Sequence, residues 1–145
     1  MVCTDLPKQA TSIVSGELHF LAEDIVKELY PTTVLNNCFV TNDIPRKILI
    51  ETEKHLVATA LENIIATVVK PAMNSQIQLT AKVFGDVILI QVKDHNTLNR
   101  QKLEQGLKNL QPLADRLGGV IGISHPTNKS TSIAFSFPNL ALIAN

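Results

Sequence analysis

The chain has 145 residues, of which 45% are hydrophobic and 18% are charged, and its 13 basic and 13 acidic side chains leave no net charge. This length and composition are typical of one globular domain and exclude an intrinsically disordered chain. The absence of net charge argues against nucleic acid or an anionic membrane as a partner. Cys3 and Cys38 match no disulfide framework or zinc motif, and no apolar run is long enough to span a bilayer. We therefore expect a soluble, cytoplasmic protein.

The first half of the chain is predicted to contain two helices with two strands between them. Apolar residues recur at helical spacing over residues 14–29, and a proline follows. Segments 35–41 and 47–51 are rich in β-branched and aliphatic residues and are separated by turn-forming residues, which predicts two strands. The clearest helix covers residues 53–70. Its apolar positions repeat over about four turns: Leu56, Val57, Ala60, Leu61, Ile64, Ile65, Val68 and Val69.

A hairpin is predicted next. Residues 76–83 alternate between polar and apolar side chains, which is the pattern of a strand with one buried face. Gly85 and Asp86 turn the chain into the almost continuously apolar segment 87–92. This second segment is predicted to be an inner strand that is covered on both faces.

A last helix and a last hairpin complete the pattern. Apolar residues at helical spacing over 103–117 predict the helix, which Pro112 should kink or restart and which a pair of glycines should end. Segments 120–124 and 130–137 predict the two strands of the hairpin, because the second of them alternates strictly at its end.

This order of elements predicts the fold class. Hairpins that alternate with helices form a mixed, mostly antiparallel sheet, and about three helices pack on one of its faces to make a two-layer α/β sandwich. We assign residues 13–138 to this domain, residues 1–12 to an N-terminal tail and residues 139–145 to an apolar C-terminal tail. That tail is expected to dock on the domain or on a neighbouring molecule.

A polar stripe runs along the long helix. Asn63, Thr67 and Lys70 are spaced i, i+4 and i+7, which places them on one edge beside the apolar face. An amide, a hydroxyl and an ammonium at this spacing can bind a magnesium–triphosphate group. A solvated helix shoulder gives the same pattern, and spacing alone does not separate the two interpretations.

The segment Ala60-Leu61-Glu62-Asn63-Ile64-Ile65-Ala66-Thr67-Val68-Val69-Lys70 resembles the asparagine box of sensor histidine kinases, written VLxNLLxNAIK, and Glu53 stands where an aspartate often precedes that box. Four further segments resemble later motifs of the family, in order: Val92-Lys93-Asp94-His95-Asn96 (VxDNGxG), Glu104-Gln105-Gly106-Leu107 (GLGL), Arg116-Leu117-Gly118-Gly119 (LHGG) and Phe135-Ser136-Phe137-Pro138 (FxLP). The resemblance extends from residue 53 to residue 138.

The resemblance implies the Bergerat fold of the histidine kinase-like ATPases, in which ATP lies between the long helix and a mobile lid. It implies that Asp94 receives the exocyclic amine of adenine and that Asn63 and Thr67 are the magnesium candidates. By the same resemblance, Lys70 contacts phosphate and Gly106 marks a helix start that faces phosphate.

Departures from the family pattern concern the phosphate half of this site. Thr67 replaces an asparagine and is a poorer magnesium ligand. Both glycines after Asp94 are replaced, so His95 or Leu98 is expected to fill the adenine space. Only about twelve residues separate Asp94 from Gly106, which leaves no room for a long lid.

Two functions follow as hypotheses. The first is a non-catalytic signalling module with lost or weak ATP binding that docks on a response regulator or a histidine kinase. The alternative is the ATP- and magnesium-binding catalytic domain of a kinase whose acceptor domain lies elsewhere, since His19 lacks the residues of an acceptor motif. His55, His95 and His125 are far apart and predict no structural metal site. The sequence leaves both autonomous kinase activity and the oligomeric state open.

Overall fold

The computed structural model of the protein describes residues 17–96, 100–125 and 130–140. The elements within these ranges are, in chain order, α1 (Leu18–Glu28), α2 (Tyr30–Leu35), β1 (Phe39–Asn42), α3 (Lys54–Val69), β2 (Gln76–Phe84), β3 (Val87–Asp94), α4 (Arg100–Arg116), β4 (Val120–Ser124) and β5 (Thr131–Pro138).

The five strands form one sheet in the order β1-β2-β3-β5-β4. β1 and β2 are parallel, and the other neighbouring pairs are antiparallel. The helices pack on one face of this sheet, so the predicted two-layer α/β sandwich with a mixed, mostly antiparallel sheet is confirmed. Both predicted hairpins, β2–β3 and β4–β5, are also confirmed.

The core lies between α3 and the middle of the sheet. Val57, Leu61 and Ile65 on α3 are fully buried, as the apolar repeat of this helix predicts. On the sheet, alternate residues of each central strand point toward the helices, and the rings of Phe135 and Phe137 lie 5.2 Å apart. Burial of this continuous apolar layer is the main stabilising contribution to the fold.

β3 is central in the sheet, but it is covered on one face only. Ile88, Ile90 and Val92 are buried under the helices, whereas Leu89 and Gln91 on the other face are half-buried. The prediction that this strand is covered on both faces is therefore wrong. Its run of apolar residues hid the alternation, because Leu89 is apolar on the open face.

The N-terminal elements differ from the prediction at two places. Segment 47–51 is not a strand: only an isolated bridge joins Glu17 to Leu49, although Ile48 and Ile50 are buried. The alternation is present, but the carbonyl of Ile48 accepts the backbone N–H of Leu18, in α1, and no strand of the described residues lies beside the segment. After a turn at Leu29 the chain forms a second helix, α2, whose first turn contains Pro31, where a missing N–H costs nothing. Because α2 ends at Leu35, the strand predicted over 35–41 begins only at Phe39.

Helix α4 continues through Pro112 without restarting, and its end follows the prediction. Gly118 has φ +70°, a conformation that favours glycine, and its N–H bonds to the carbonyl of Asp115. The N–H of Gly119 bonds to the carbonyl of Ala114 at 2.8 Å. These two bonds satisfy carbonyl groups of the last helical turn and direct the chain into β4.

Asn139 joins the end of β5 to segment 49–52. Its side chain accepts hydrogen bonds from the N–H groups of Glu51 and Thr52 at 2.7 and 3.3 Å and donates one to the carbonyl of Leu49 at 2.8 Å. Three side-chain bonds at a partly exposed position are together worth about 1 kcal/mol or slightly more.

We therefore expect Asn139→Ala to lower the free energy of unfolding by about 1 kcal/mol. Urea denaturation followed by circular dichroism measures this change. Gln111→Ala is a suitable control, since the exposed Gln111 side chain makes its hydrogen bond to another exposed side chain, that of Asp115, at a helical position that alanine tolerates. An Asn139→Ala protein as stable as the wild type would show that the three bonds contribute nothing.

Candidate functional site

The polar stripe of α3 is directed back onto its own helix. The amide of Asn63 donates to the carbonyl of Thr59 at 2.7 Å, and the hydroxyl of Thr67 donates to the carbonyl of Asn63 at 2.7 Å. Asn63 and Lys70 are exposed, and Thr67 is half-buried. The stripe therefore lies where the sequence places it, but two of its three polar groups bond to backbone carbonyls of the helix.

Thr67 and Gly106 are in direct contact across the α3–α4 interface. A Cβ atom at position 106 would lie 2.5 Å from Cγ2 of Thr67, so a larger residue fits only if this methyl group or the helices move. Gly106 lies inside α4, six residues after Arg100, where that helix begins. The expectation that Gly106 marks a helix start facing phosphate is therefore wrong, and its position is explained by close helix packing.

Asp94 ends β3 and is 2% exposed. One of its carboxylate oxygens accepts the N–H of Asn96 at 3.0 Å. The register of the sheet places Asp94 between Ile77 on β2 and Thr131 on β5, and Thr131 is 1% exposed. A buried carboxylate beside a buried hydroxyl is an arrangement that can receive the amine of a base.

The connection from Asp94 to α4 is short. Five residues, 95–99, lie between the end of β3 and Arg100. The N–H of His95 bonds to the carbonyl of Gln76 at 3.0 Å. Asn96 donates to the carbonyl of Asn74 and accepts from the hydroxyl of Ser75. The first two residues of the connection are thus held against the segment that precedes β2.

His95 and Leu98 are the two side chains that the sequence predicts in the adenine space. His95 is exposed and lines a shallow cavity of about 250 Å³ together with Gln76 and Gln78, which belong to the face of the sheet opposite the helices. Asp94 points to the helical face, so the expectation for His95 is wrong. Leu98 lies outside the described residues.

His125, which the sequence motifs do not include, lies beside Thr131 and extends this site. Nδ1 of His125 lies 3.2 Å from the hydroxyl of Thr131, and its Nε2 lies 3.7 Å from a carboxylate oxygen of Glu104 on α4. His125 follows β4 directly and joins the sheet to α4, and Thr131 on β5 lies between it and Asp94 in the sheet. The available signal was the run of three polar residues Ser130-Thr131-Ser132 at the start of β5, since all three are buried.

These residues supply polar groups of the kind that bind a base, but they do not complete a magnesium–triphosphate site. Asp94 and Thr131 supply a buried acceptor and a hydroxyl for the base. Magnesium requires close to six oxygen ligands in octahedral geometry. Here the hydroxyl of Thr67 donates to the helix backbone and its methyl group faces α4, so Asn63 supplies the one amide oxygen of the stripe.

Two wider properties complete the description of residues 17–96, 100–125 and 130–140. Within them, no group of three or more His, Cys, Asp or Glu side chains is placed to hold a metal ion. Nor does this part of the chain include a helix with the length and hydrophobicity needed to cross a lipid bilayer.

Solved structures with the same fold are numerous, although no protein-family model and no curated protein match the amino-acid sequence. The histidine kinase AdeS of Acinetobacter baumannii is 11% identical, has a TM-score of 0.72 and aligns with 85% of this chain. The nucleotide-free catalytic domain of the histidine kinase ThkA is 16% identical, has a TM-score of 0.68 and aligns with 86% of this chain over 93% of its own length. The chain has the fold of a histidine kinase ATPase domain.

The histidine kinase ATPase fold of this chain corresponds to only part of some of these structures. It spans 65% of the AdeS chain and 31% of full-length ShkA, which was solved in complex with AMPPNP (15% identity, TM-score 0.71, 88% of this chain). ThkA has also been solved in complex with the response regulator protein TrrA (15% identity, TM-score 0.66, 85% of this chain and 40% of ThkA).

Proposed function

We propose that this chain is a cytoplasmic signal-transduction protein whose histidine kinase-type ATPase domain is a non-catalytic interaction module with lost or weak ATP binding. A response regulator or a histidine kinase is the proposed partner. The complex of ThkA with TrrA supports this class of partner, because ThkA has the same fold.

The short connection between β3 and α4 is the observation that carries the proposal. Phosphoryl transfer depends on positioning and on neutralisation of the phosphate charges, and a mobile lid whose N–H groups surround the phosphates contributes to both. Five residues between Asp94 and Arg100 are too few for such a lid. The contact of Thr67 with Gly106 supports the same conclusion, since it removes Thr67 as a convincing metal ligand.

The alternative function, an ATP- and magnesium-binding catalytic domain, is favoured by one observation. Asp94 remains buried beside Thr131, as recognition of adenine requires. In that case Asp94 would hold the base, and Asn63 and Lys70 would hold the phosphate end.

Titration with a fluorescent ATP analogue in the presence of magnesium separates the two functions. We expect no saturation up to about 1 mM, because the phosphate end of the site is incomplete; a Kd above this value corresponds to a binding free energy weaker than about −4 kcal/mol. Chelation of magnesium should leave the signal unchanged.

Two matched variants show where any binding occurs. Asp94→Asn keeps an oxygen that can accept the N–H of Asn96 but removes the charge, and Asp86→Asn makes the same change in the exposed β2–β3 turn. The alternative would be established if the wild type saturates in the micromolar range, if Asp94→Asn abolishes this saturation and if Asp86→Asn preserves it. That result would reject the proposed loss of ATP binding.

A further inference from the structure

An exposed apolar corner lies beside β1, which is one edge of the sheet. Its five large side chains are between 54% and 83% exposed: Tyr30, Val34, Leu35, Phe39 and Met73. We refer to these five residues as the β1 corner. They are close together because the carbonyl of Ser75 accepts the N–H of Phe39 and the carbonyl of Asn36 accepts the N–H of Asn74. A cluster of exposed apolar side chains of this kind marks an interaction surface.

The backbone of β1 can accept another strand. The N–H groups of Phe39 and Asp43 bond to carbonyls at Ser75 and Leu79, on the β2 side. Since the bonding direction alternates along a strand, the N–H and C=O groups of Val40 point away from β2, toward the side on which the described residues place no further strand. Lysine and proline, which commonly protect such edges, are both missing from β1.

A groove next to this edge supplies the side-chain contacts. It has a volume of about 580 Å³ and runs between β1 and helices α1 and α2. Val26 and Tyr30 contribute its helical wall, and Phe39 and Val40 contribute its strand wall. The groove thus combines an open strand edge with apolar walls, which is the arrangement that binds an added β-strand.

The charges in the groove favour a second copy of the chain as the occupant. Glu23 and Lys27 are one helical turn apart on α1, and both line the groove beside Val40. In a twofold-symmetric interface every contact of residue i with residue j is repeated from j to i, so a contact between Glu23 of one copy and Lys27 of the other forms twice. A chain without net charge also has no overall repulsion between copies.

We propose that two copies of this chain associate through antiparallel pairing of their β1 strands, centred on Val40, to form one continuous ten-stranded sheet with the two β1 corners buried at the joint. The count follows from the five strands of each described sheet. Val40 of each copy donates its N–H to the carbonyl of Val40 in the other copy. This inference does not depend on the proposed function, because no residue of the Asp94 site takes part in the interface.

Val40→Pro tests the backbone pairing directly. Proline removes the outward N–H of residue 40 and leaves the bonds between β1 and β2 intact, and edge strands tolerate proline at such positions. Two hydrogen bonds are lost at once in the symmetric dimer, so we expect a dissociation constant about thirtyfold higher. Sedimentation equilibrium over protein concentrations from about 1 μM to 1 mM measures the dissociation constants of the wild type and the variant.

Side-chain variants keep the test valid if Val40→Pro fails to fold. Leu35→Asp places a charge on the most exposed residue of the β1 corner and should weaken association at least about tenfold. Val83→Asp makes a similar change at an exposed residue near the β2–β3 turn and should leave association unchanged. Lys27→Glu should weaken the dimer because the new carboxylate faces Glu23 of the other copy, and the added change Glu23→Lys should restore it.

Three results would overturn the proposal. The first is a wild-type chain that stays monomeric up to about 1 mM, the highest protein concentration of the sedimentation experiment. The second is a dimer that Leu35→Asp leaves intact. The third is hydrogen exchange at the N–H of Val40 that is as fast in concentrated as in dilute protein, because pairing must protect this group.

Discussion

Gly119→Ala is expected to lower the free energy of unfolding by about 3 kcal/mol, the upper end of the range for inserting a methyl group into a packed site. A Cβ atom at position 119 would collide with the carbonyl oxygen of Ser136 on β5 and lie 3.1 Å from the Cβ of Phe137. The carbonyl belongs to a central strand and cannot move away as a flexible side chain can. The chain between α4 and β4 must therefore shift as a whole.

Gly122→Ala is the matched control for this change. Nothing lies within 4 Å of a Cβ at position 122, and the residue is exposed on β4, three residues later in the chain. Alanine there is expected to be neutral or to stabilise by about 0.5 kcal/mol, since it restricts the unfolded chain. Urea denaturation of both variants gives the difference. Equal stabilities for the two would show that the contact with Ser136 does not constrain position 119.

Gly106→Ala is expected to lower the free energy of unfolding by about 2 kcal/mol, although alanine favours a helix over glycine by about 1 kcal/mol. The new methyl group would lie 2.5 Å from Cγ2 of Thr67, so either the two helices must separate or Thr67 must rotate and give up its hydrogen bond to the carbonyl of Asn63. The loss is therefore a packing effect and does not require a nucleotide.

The variant Thr67→Ala tests whether contact with the Thr67 methyl group causes this loss of stability. In the Thr67→Ala background, Gly106→Ala should be neutral or should stabilise by up to about 1 kcal/mol, because the clashing methyl group is absent and the helix propensity remains. The double-mutant cycle, measured by urea denaturation without nucleotide, should give a coupling energy of about 2 kcal/mol. Additive effects of the two changes would reject the proposed contact as the reason for glycine at position 106.

Elements with a strong and long pattern could be predicted from the sequence. The apolar repeat of α3 and the alternation in β2 and β5 each follow from the face that the element buries. The strand prediction for segment 47–51 is wrong because alternating burial is compatible with a strand but is not sufficient for one. A strand also needs a neighbour in the sheet, and which segments become neighbours is decided by tertiary packing.

The candidate site was partly predictable for a similar reason. Motif spacing selected Asp94, Thr67 and Gly106, and the structure does place Thr67 against Gly106. Motif spacing could not show that the Thr67 hydroxyl bonds to its own helix or that Gly106 is needed for packing, because both are properties of the folded side chains and helices. His125 was missed because its neighbours, Glu104 and Thr131, come from different elements and approach it only in the folded chain.

Asn139 also bears on the order in which the structure assembles. Its hydrogen bonds connect residues that are 87 to 90 positions apart, whereas the β2–β3 hairpin pairs residues that are close in sequence. Contacts between distant residues form late, since closing so long a loop costs conformational entropy before the bond is made. We therefore expect the hairpin to form early and the Asn139 bonds to form after the sheet is in place. Loss of these bonds would therefore speed unfolding and leave the folding rate nearly unchanged.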